Sequence, residues 1–120
     1  MITQEDIDAF KRFNDIDYLM NEYQDMAAST AIYKVEHKVI YPALGLAAEA
    51  GEVANKVKKI LRDGKLDRQG IADEIGDCLW YIAALCRDLN VDLSEVAKNN
   101  LSKLQGRKQR GTLKGSGDKR

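Results

Sequence analysis

Four carboxylates in the middle of the chain form two pairs with the same spacing. Glu49 and Glu52 are three positions apart, and so are Glu74 and Asp77. Residues three apart share one face of a helix, so each pair would present two carboxylates together. Facing pairs would repel unless a cation lay between them, and oxygen ligands suit Mg²⁺ or Mn²⁺ rather than zinc or copper. From the spacing alone, a metal site and a solvent-exposed acidic surface both stay open.

The surroundings of the second pair favour the metal site. Nine consecutive apolar residues follow Asp77, from Cys78 to Cys86. A helix this apolar is largely buried. Glu74 and Asp77 therefore lie where a solvated helix becomes a core helix, and charges at such a border need a partner.

Two long helices must position these carboxylates. With one proline and no strand-like alternation, helical patterns dominate the sequence. Pro42 is suited to begin a helix that extends to about Arg62. Gly64 can end it in the left-handed conformation. Asp67 can cap the next helix, which extends to about Leu89. The short link predicts an antiparallel pair, which brings the two acidic pairs together.

The remaining helices complete an all-α fold, a compact helical bundle of four to five helices. Thr3 can cap a first helix with Asp6, and a helical pattern follows around residues 18–26. Residues 29–41 show no clear pattern. A last helix is predicted from Asp92 or Ser94 to about Leu104. The predicted organisation is one helical domain over residues 1–105 and a basic, glycine-rich tail over 106–120, a candidate lid.

Charge is divided unevenly along the chain. Residues 1–97 hold 11 basic and 18 acidic side chains, whereas residues 98–120 hold eight and one. The basic end could bind nucleic acid, bind the phosphates of a small molecule, or be a solvated terminus. No apolar run approaches the ~18 residues of a membrane helix, and the N-terminus lacks signal-peptide features. We therefore expect a cytoplasmic protein without a membrane partner.

The arrangement Glu49-x-x-Glu52, 21 residues, then Glu74-x-x-Asp77 resembles the signature of the MazG-like nucleoside triphosphate pyrophosphohydrolases, an all-α superfamily. The flanking segments 46–53 and 73–81 resemble the family's two motif helices, and segment 100–107 resembles its basic element. The resemblance covers roughly residues 41–120. One departure is Gly70, which stands where the family often has a basic residue.

The resemblance implies Mg²⁺-dependent hydrolysis of nucleoside triphosphates, with deoxynucleotides favoured by analogy to short phage members. Water would attack the α-phosphate, and the four carboxylates would be catalytic and would hold the metal, Mg²⁺ or Mn²⁺. Homodimers or homotetramers are implied. The predicted substrate-binding residues are Lys56, Lys59, Tyr81, Asn100, Lys103 and Arg107. For Lys56 and Lys59 the alternative is pairing with nearby acids, and for Tyr81 it is a place in the core.

Three alternatives remain. Dimeric dUTPases and phosphoribosyl-ATP pyrophosphohydrolases have a similar arrangement of carboxylates and cleave the same bond, between the α- and β-phosphates. A non-enzymatic helical module whose basic tail binds nucleic acid would show salt-sensitive binding and no metal dependence. We favour the nucleotide hydrolase, and a substrate panel separates the alternatives.

Overall fold

The computed structural model describes residues 1–14 and 16–120, with the side chains of residues 1–8, 11 and 17–120. This part of the chain contains helices and no strand, which confirms the predicted all-α class. None of these helices has the length and apolar character that a membrane crossing requires. The helices are α1 (Gln4–Asn14), α2 (Ile16–Ala28), a 3₁₀ turn (Val35–His37), α3 (Ile40–Asp63), α4 (Arg68–Asp88) and α5 (Leu93–Arg110).

Three predicted helix ends are confirmed. The main-chain N–H of Asp6 donates to Thr3 Oγ1 at 3.1 Å, and Thr3 N–H donates to the Asp6 carboxylate at 2.8 Å. These two bonds form a reciprocal capping box at the start of α1. The Asp67 carboxylate accepts from Gly70 N–H at 2.9 Å and caps α4. Gly64 ends α3 in the left-handed conformation, with φ of 68°.

Two other helix ends differ from the prediction. Helix α3 begins at Ile40, so Pro42 lies inside its first turn, where a missing N–H costs nothing. The loop expected from Gly106 onward is wrong for residues 106–110, because α5 extends to Arg110. Basic side chains favour the C-terminal end of a helix, and Gly111, with φ of 70°, supplies the left-handed end.

The core lies where α2 crosses α4 and meets the start of α5. Its buried residues are Ala27, Ala83, Cys86 and Leu93, with Met20, Tyr23, Trp80 and Ile82 packed against them. The buried amide of Gln24 donates to Val91 O at 2.9 Å and accepts from Leu93 N–H at 2.9 Å. This side chain therefore ties α2 to the link between α4 and α5. Both cysteines are free thiols, as their spacing predicts.

A single chain leaves much apolar surface uncovered. Its radius of gyration is 18.2 Å, against about 13.6 Å for a compact domain of this length. Its accessible surface is 9262 Å², against roughly 6,500 Å² expected from its mass. The exposed apolar side chains include Leu44, Leu61, Leu66, Ile75 and Leu101. The chain is thus less compact than the sequence suggests, because these apolar side chains stay exposed on their helices.

Candidate active site

The α3–α4 hairpin brings three of the four predicted carboxylates together. Glu49, Glu74 and Asp77 each offer a carboxylate oxygen, and these atoms lie within 4.8 Å of one another. Glu52 is exposed and outside this group, although its charge still acts on Glu49. We call Glu49, Glu74 and Asp77 the carboxylate cluster.

The electrostatics of the cluster show a shortage of positive charge. The pKa of the Glu49 carboxyl is raised, first by hydrogen bonding with Glu74, then by desolvation and by the charges of Asp77, Glu74 and Glu52. Within the described residues, the cluster's ion-pair partner is Lys56, whose Nζ lies 3.5 Å from Glu74 Oε1. One ammonium cannot neutralise these carboxylates. Their acceptor-only oxygens fit a hard divalent cation such as Mg²⁺ or Mn²⁺.

An aromatic cluster begins one helical turn beyond Asp77. The Tyr81 ring lies against the backbone of α3 at Gly45, where an added Cβ would stand 2.1 Å from the ring. Tyr41 is 6.3 Å from Tyr81 between ring centroids, and Tyr33 stacks on Tyr41 at 4.9 Å. Trp80 meets Tyr81 edge to face at 5.0 Å.

These four rings line a cavity of about 460 Å³, which we call the aromatic cavity. Its other lining residues are Thr30, Ile32, Lys34 and His37. Burial raises the pKa of the Tyr81 phenol, and the neighbouring Tyr41, Glu49 and Asp77 raise it further. Tyr81 therefore lines the cavity and is also close enough to the carboxylate cluster for the charges of Glu49 and Asp77 to act on it.

A second cavity, of about 410 Å³, lies farther along α3, toward the link with α4. Its lining residues are Lys56, Lys59, Asp63, Lys65, Leu66 and Asp67, and we call it the lysine cavity. Lys56 links it to the cluster through its contact with Glu74. Gly70 stands where the sequence pattern often has a basic residue. An added Cβ there would stand 2.1 Å from the capping Asp67 carboxylate, so the cap occupies the space that such a side chain would need.

Comparison with known proteins identifies the family of this chain. The sequence model of the MazG nucleotide pyrophosphohydrolase domain matches residues 37–112, more than half of the chain. The chain belongs to the MazG family. It is also 47% identical over 110 aligned positions to the Gene 37 protein of Mycobacterium phage L5, covering 82% of this chain and 96% of that protein. No solved structure matches it.

Family membership makes this MazG chain a nucleotide pyrophosphohydrolase in general terms, a hydrolase class that uses divalent metals. The matched region contains α3, α4 and α5, and with them all ten predicted site residues. Helices α1 and α2 lie before it. Tyr33 and Lys34, which line the aromatic cavity, also lie before it.

The basic residues of α5 are not brought to the carboxylates of the same MazG chain. Asn100 and Lys103 are exposed, and Arg107 is only 5% exposed. Arg107 Nη2 donates to Asp118 O at 3.1 Å, and its buried Nε has no partner. Within the described residues, no hydrogen bond or ion pair joins these side chains to the four carboxylates, because α5 packs on α2.

Arginine side chains fold the end of the MazG chain onto α5. Arg120 donates to Thr112 O at 3.0 Å and to Gly117 O at 2.7 Å. Arg110 donates to Arg120 O at 2.8 Å. These bonds hold residues 111–120 beside the last turn of α5. The role of this segment as a lid stays a prediction.

Several residues that line the two cavities were not predicted from the sequence. Lys65 lies in the link between the two long helices, Tyr33, Lys34 and His37 lie in or next to the 3₁₀ turn, and Tyr41 is the second residue of α3. Neither segment has a helical period that would show where its side chains point. A signal was nevertheless present, because aromatic and basic residues are concentrated directly before the first acidic pair.

Proposed function

We propose that this chain hydrolyses nucleoside triphosphates to the monophosphate and pyrophosphate, with Mg²⁺ held by Glu49, Glu74 and Asp77. Deoxynucleoside triphosphates are the first substrates to test. One observation carries the proposal: Tyr81 links the carboxylate cluster to the aromatic cavity, and Lys56 links it to the lysine cavity. Since such nucleotides are drawn from the cytoplasmic pool, we propose the cytoplasm as the place of action.

The order of residues along α3 gives the substrate a direction. Gly45, Glu49 and Lys56 follow one another on this helix, and Gly45 and Lys56 are about 16 Å apart along its axis. Helix α4 runs the other way and presents Tyr81, then Asp77, then Glu74. An extended nucleotide would place its base among the rings, its α-phosphate at the carboxylates and its outer phosphates toward the lysines.

The proposed chemistry is attack of water on the α-phosphorus. The bond from that phosphorus to the oxygen shared with the β-phosphorus breaks, and pyrophosphate leaves with the bond's electron pair. The proton of the water passes to a carboxylate of the Glu49–Glu52 pair. Lys56 and Lys59 neutralise charge that develops on the leaving pyrophosphate. A divalent cation, when bound, lowers the charge on the phosphates and acidifies water.

We also propose that a second copy of the chain covers the exposed apolar faces. The surface beyond that of a compact domain is roughly 2,700 Å² per chain, or roughly 5,400 Å² for a pair, which lies at the upper end of the total area that permanent dimers bury. The exposed Asn100 and Lys103 would then reach substrate across the interface, whereas Arg107, which is 5% exposed, would first have to leave the Asp118 carbonyl. Sedimentation equilibrium tests this, and a stable monomer at assay concentration would contradict it.

The first experiment measures pyrophosphate release from a panel of nucleotides, with and without Mg²⁺. The panel contains dNTPs, NTPs, dUTP and phosphoribosyl-ATP, which separates the related activities. Glu74→Gln should abolish release, and Glu22→Gln, an exposed acid on α2 that lines neither cavity, should not. Mg²⁺ should also raise the melting temperature of the wild type and not that of Glu74→Gln.

Each possible result of this panel has a clear meaning. Metal-dependent release of both products, lost in Glu74→Gln, would establish the reaction. If folded protein released no pyrophosphate from any nucleotide, the hydrolase proposal would be wrong. Binding to DNA or RNA that weakens steeply with salt would then favour the nucleic-acid module.

A further inference from the structure

Most polar groups that line the aromatic cavity are already used within the protein. Trp80 Nε1 donates to Thr30 Oγ1 at 2.8 Å, and the Thr30 hydroxyl donates to Ala27 O at 2.7 Å. The Tyr33 hydroxyl donates to Asp88 Oδ2 at 2.9 Å. The donors of Trp80, Thr30 and Tyr33 are therefore satisfied, and these side chains offer a ligand mainly apolar surface.

Two side chains of the cavity keep free donors. The Lys34 ammonium is 4.0 Å from Glu36, and both side chains are exposed, so this ion pair is weak. Within the described residues, the His37 imidazole makes no hydrogen bond. An ammonium can only donate, and a histidine ring always carries at least one N–H. The rim of the cavity is therefore richer in donors than in acceptors.

The backbone that follows these two residues forms a strained turn at Val39. Ile40 N–H donates to Lys38 O at 2.8 Å, which closes a γ-turn around Val39 with φ of 68°. This hand of the turn is rare, and a branched residue adopts it only when its surroundings enforce it. Val39 N–H donates to Asp88 Oδ2 at 2.9 Å, so α4 supplies the restraint. The 3₁₀ turn that bears His37 is thus fixed against the cavity.

We propose that Lys34 and His37 select the base, favouring nucleotides whose base carries a keto oxygen at pyrimidine C4 or purine C6. This inference rests on the proposed function. A keto oxygen accepts a charge-assisted hydrogen bond from an ammonium, whereas an exocyclic amine would place donor against donor. Uracil, thymine, guanine and hypoxanthine carry such an oxygen in place of the amine of cytosine and adenine. The cavity, at about 460 Å³, admits both ring sizes, so size does not decide between them.

The kinetic test compares pairs that differ at the exocyclic group, dUTP with dCTP and dITP with dATP. We expect kcat/KM for the keto member to be larger by roughly tenfold. Lys34→Met and His37→Leu should each shrink that ratio toward one, mainly by slowing the keto member. Lys38→Met is the matched control, because Lys38 is exposed and does not line the cavity. Equal kcat/KM values in the wild type, or a ratio unchanged in both variants, would overturn the inference.

A binding test separates this inference from the hydrolysis itself. The chain has one tryptophan, and Trp80 lines the cavity, so its fluorescence reports whether a base enters. We expect dUMP to quench it at lower concentration than dCMP, and Lys34→Met to remove the difference. Tighter dUMP binding would support the inference even if no nucleotide were hydrolysed. Equal affinities, or no quenching by either nucleotide, would overturn it even if hydrolysis were established.

Discussion

Asp88, the last residue of α4, accepts a hydrogen bond at 2.9 Å from the main-chain N–H of Val39, which lies 49 positions earlier. The same carboxylate oxygen accepts from the Tyr33 hydroxyl at 2.9 Å. One side chain therefore anchors both ends of the segment that lines the aromatic cavity. This contact holds the strained turn at Val39 and places the cavity beside the carboxylate cluster.

Replacing Asp88 should loosen this segment. Asp88→Ala leaves the Tyr33 hydroxyl and the Val39 N–H without their acceptor, so we expect a loss of about 1–3 kcal/mol in the free energy of unfolding. We also expect KM for the nucleotide to rise, because the rings lose their support. Denaturant unfolding and steady-state kinetics measure the two effects. Asp25→Ala, at an exposed position, is the control. If the two variants behaved alike, Asp88 would have no anchoring role.

The same contact predicts how stability changes at high pH. Burial, with the hydrogen bond and charge of Asp88, raises the pKa of Tyr33 from 10.0 to about 12. The folded state therefore binds this proton more tightly than the unfolded state. The resulting stabilisation is complete below about pH 10 and is lost as the pH rises through about 12.

Tyr33→Phe tests that pH dependence. The variant should be less stable than the wild type at about pH 9, and the difference should shrink toward about pH 12. Unfolding in denaturant at several pH values measures it, and tyrosinate absorbance follows the titration. A stability difference that stayed constant across this range would mean that the Tyr33 proton is not linked to folding.

The parts of the site that sequence could predict lie on helices with a clear period. Glu49, Glu74 and Asp77 converge because a short link makes their helices antiparallel. The helices and the short link can both be predicted from glycines, caps and apolar spacing. Asp67 and Gly64 are local signals of the same kind. Local rules suffice where each residue's direction follows from its place in a regular helix.

Long-range contacts decide the parts that could not be predicted. The positions of Tyr33 and His37 depend on Asp88, a residue on another element, and no local pattern encodes that bond. The end of α5 was misplaced for a related reason, since Gly106 and Gly111 look alike in sequence. Only Gly111 adopts positive φ, because the chain turns back there to meet Arg107 and Arg110.

A pair of glycines on α3 should respond in opposite ways to the same substitution. In Gly45→Ala the new Cβ would stand 2.1 Å from the Tyr81 ring, so the ring must move, at a cost of about 1–3 kcal/mol. Gly51 has nothing within 4 Å of an added Cβ. Gly51→Ala should therefore stabilise the helix by about 0.5–1 kcal/mol. Thermal unfolding of both variants measures the difference, and equal changes would show that Tyr81 does not pack on Gly45.

Lys65 is predicted to hold the outer phosphates of the substrate, although it is in the link rather than on a motif helix. It lines the lysine cavity with Lys56 and Lys59, whereas Lys58 is exposed and outside the cavity. Lys65→Met should remove about 1 kcal/mol of binding, or roughly a fivefold rise in KM for triphosphates. The KM effect should fade at high salt, because the contact is partly solvated. Lys58→Met is matched in charge and size, so an equal rise in both variants would indicate a general field effect and no phosphate site at Lys65.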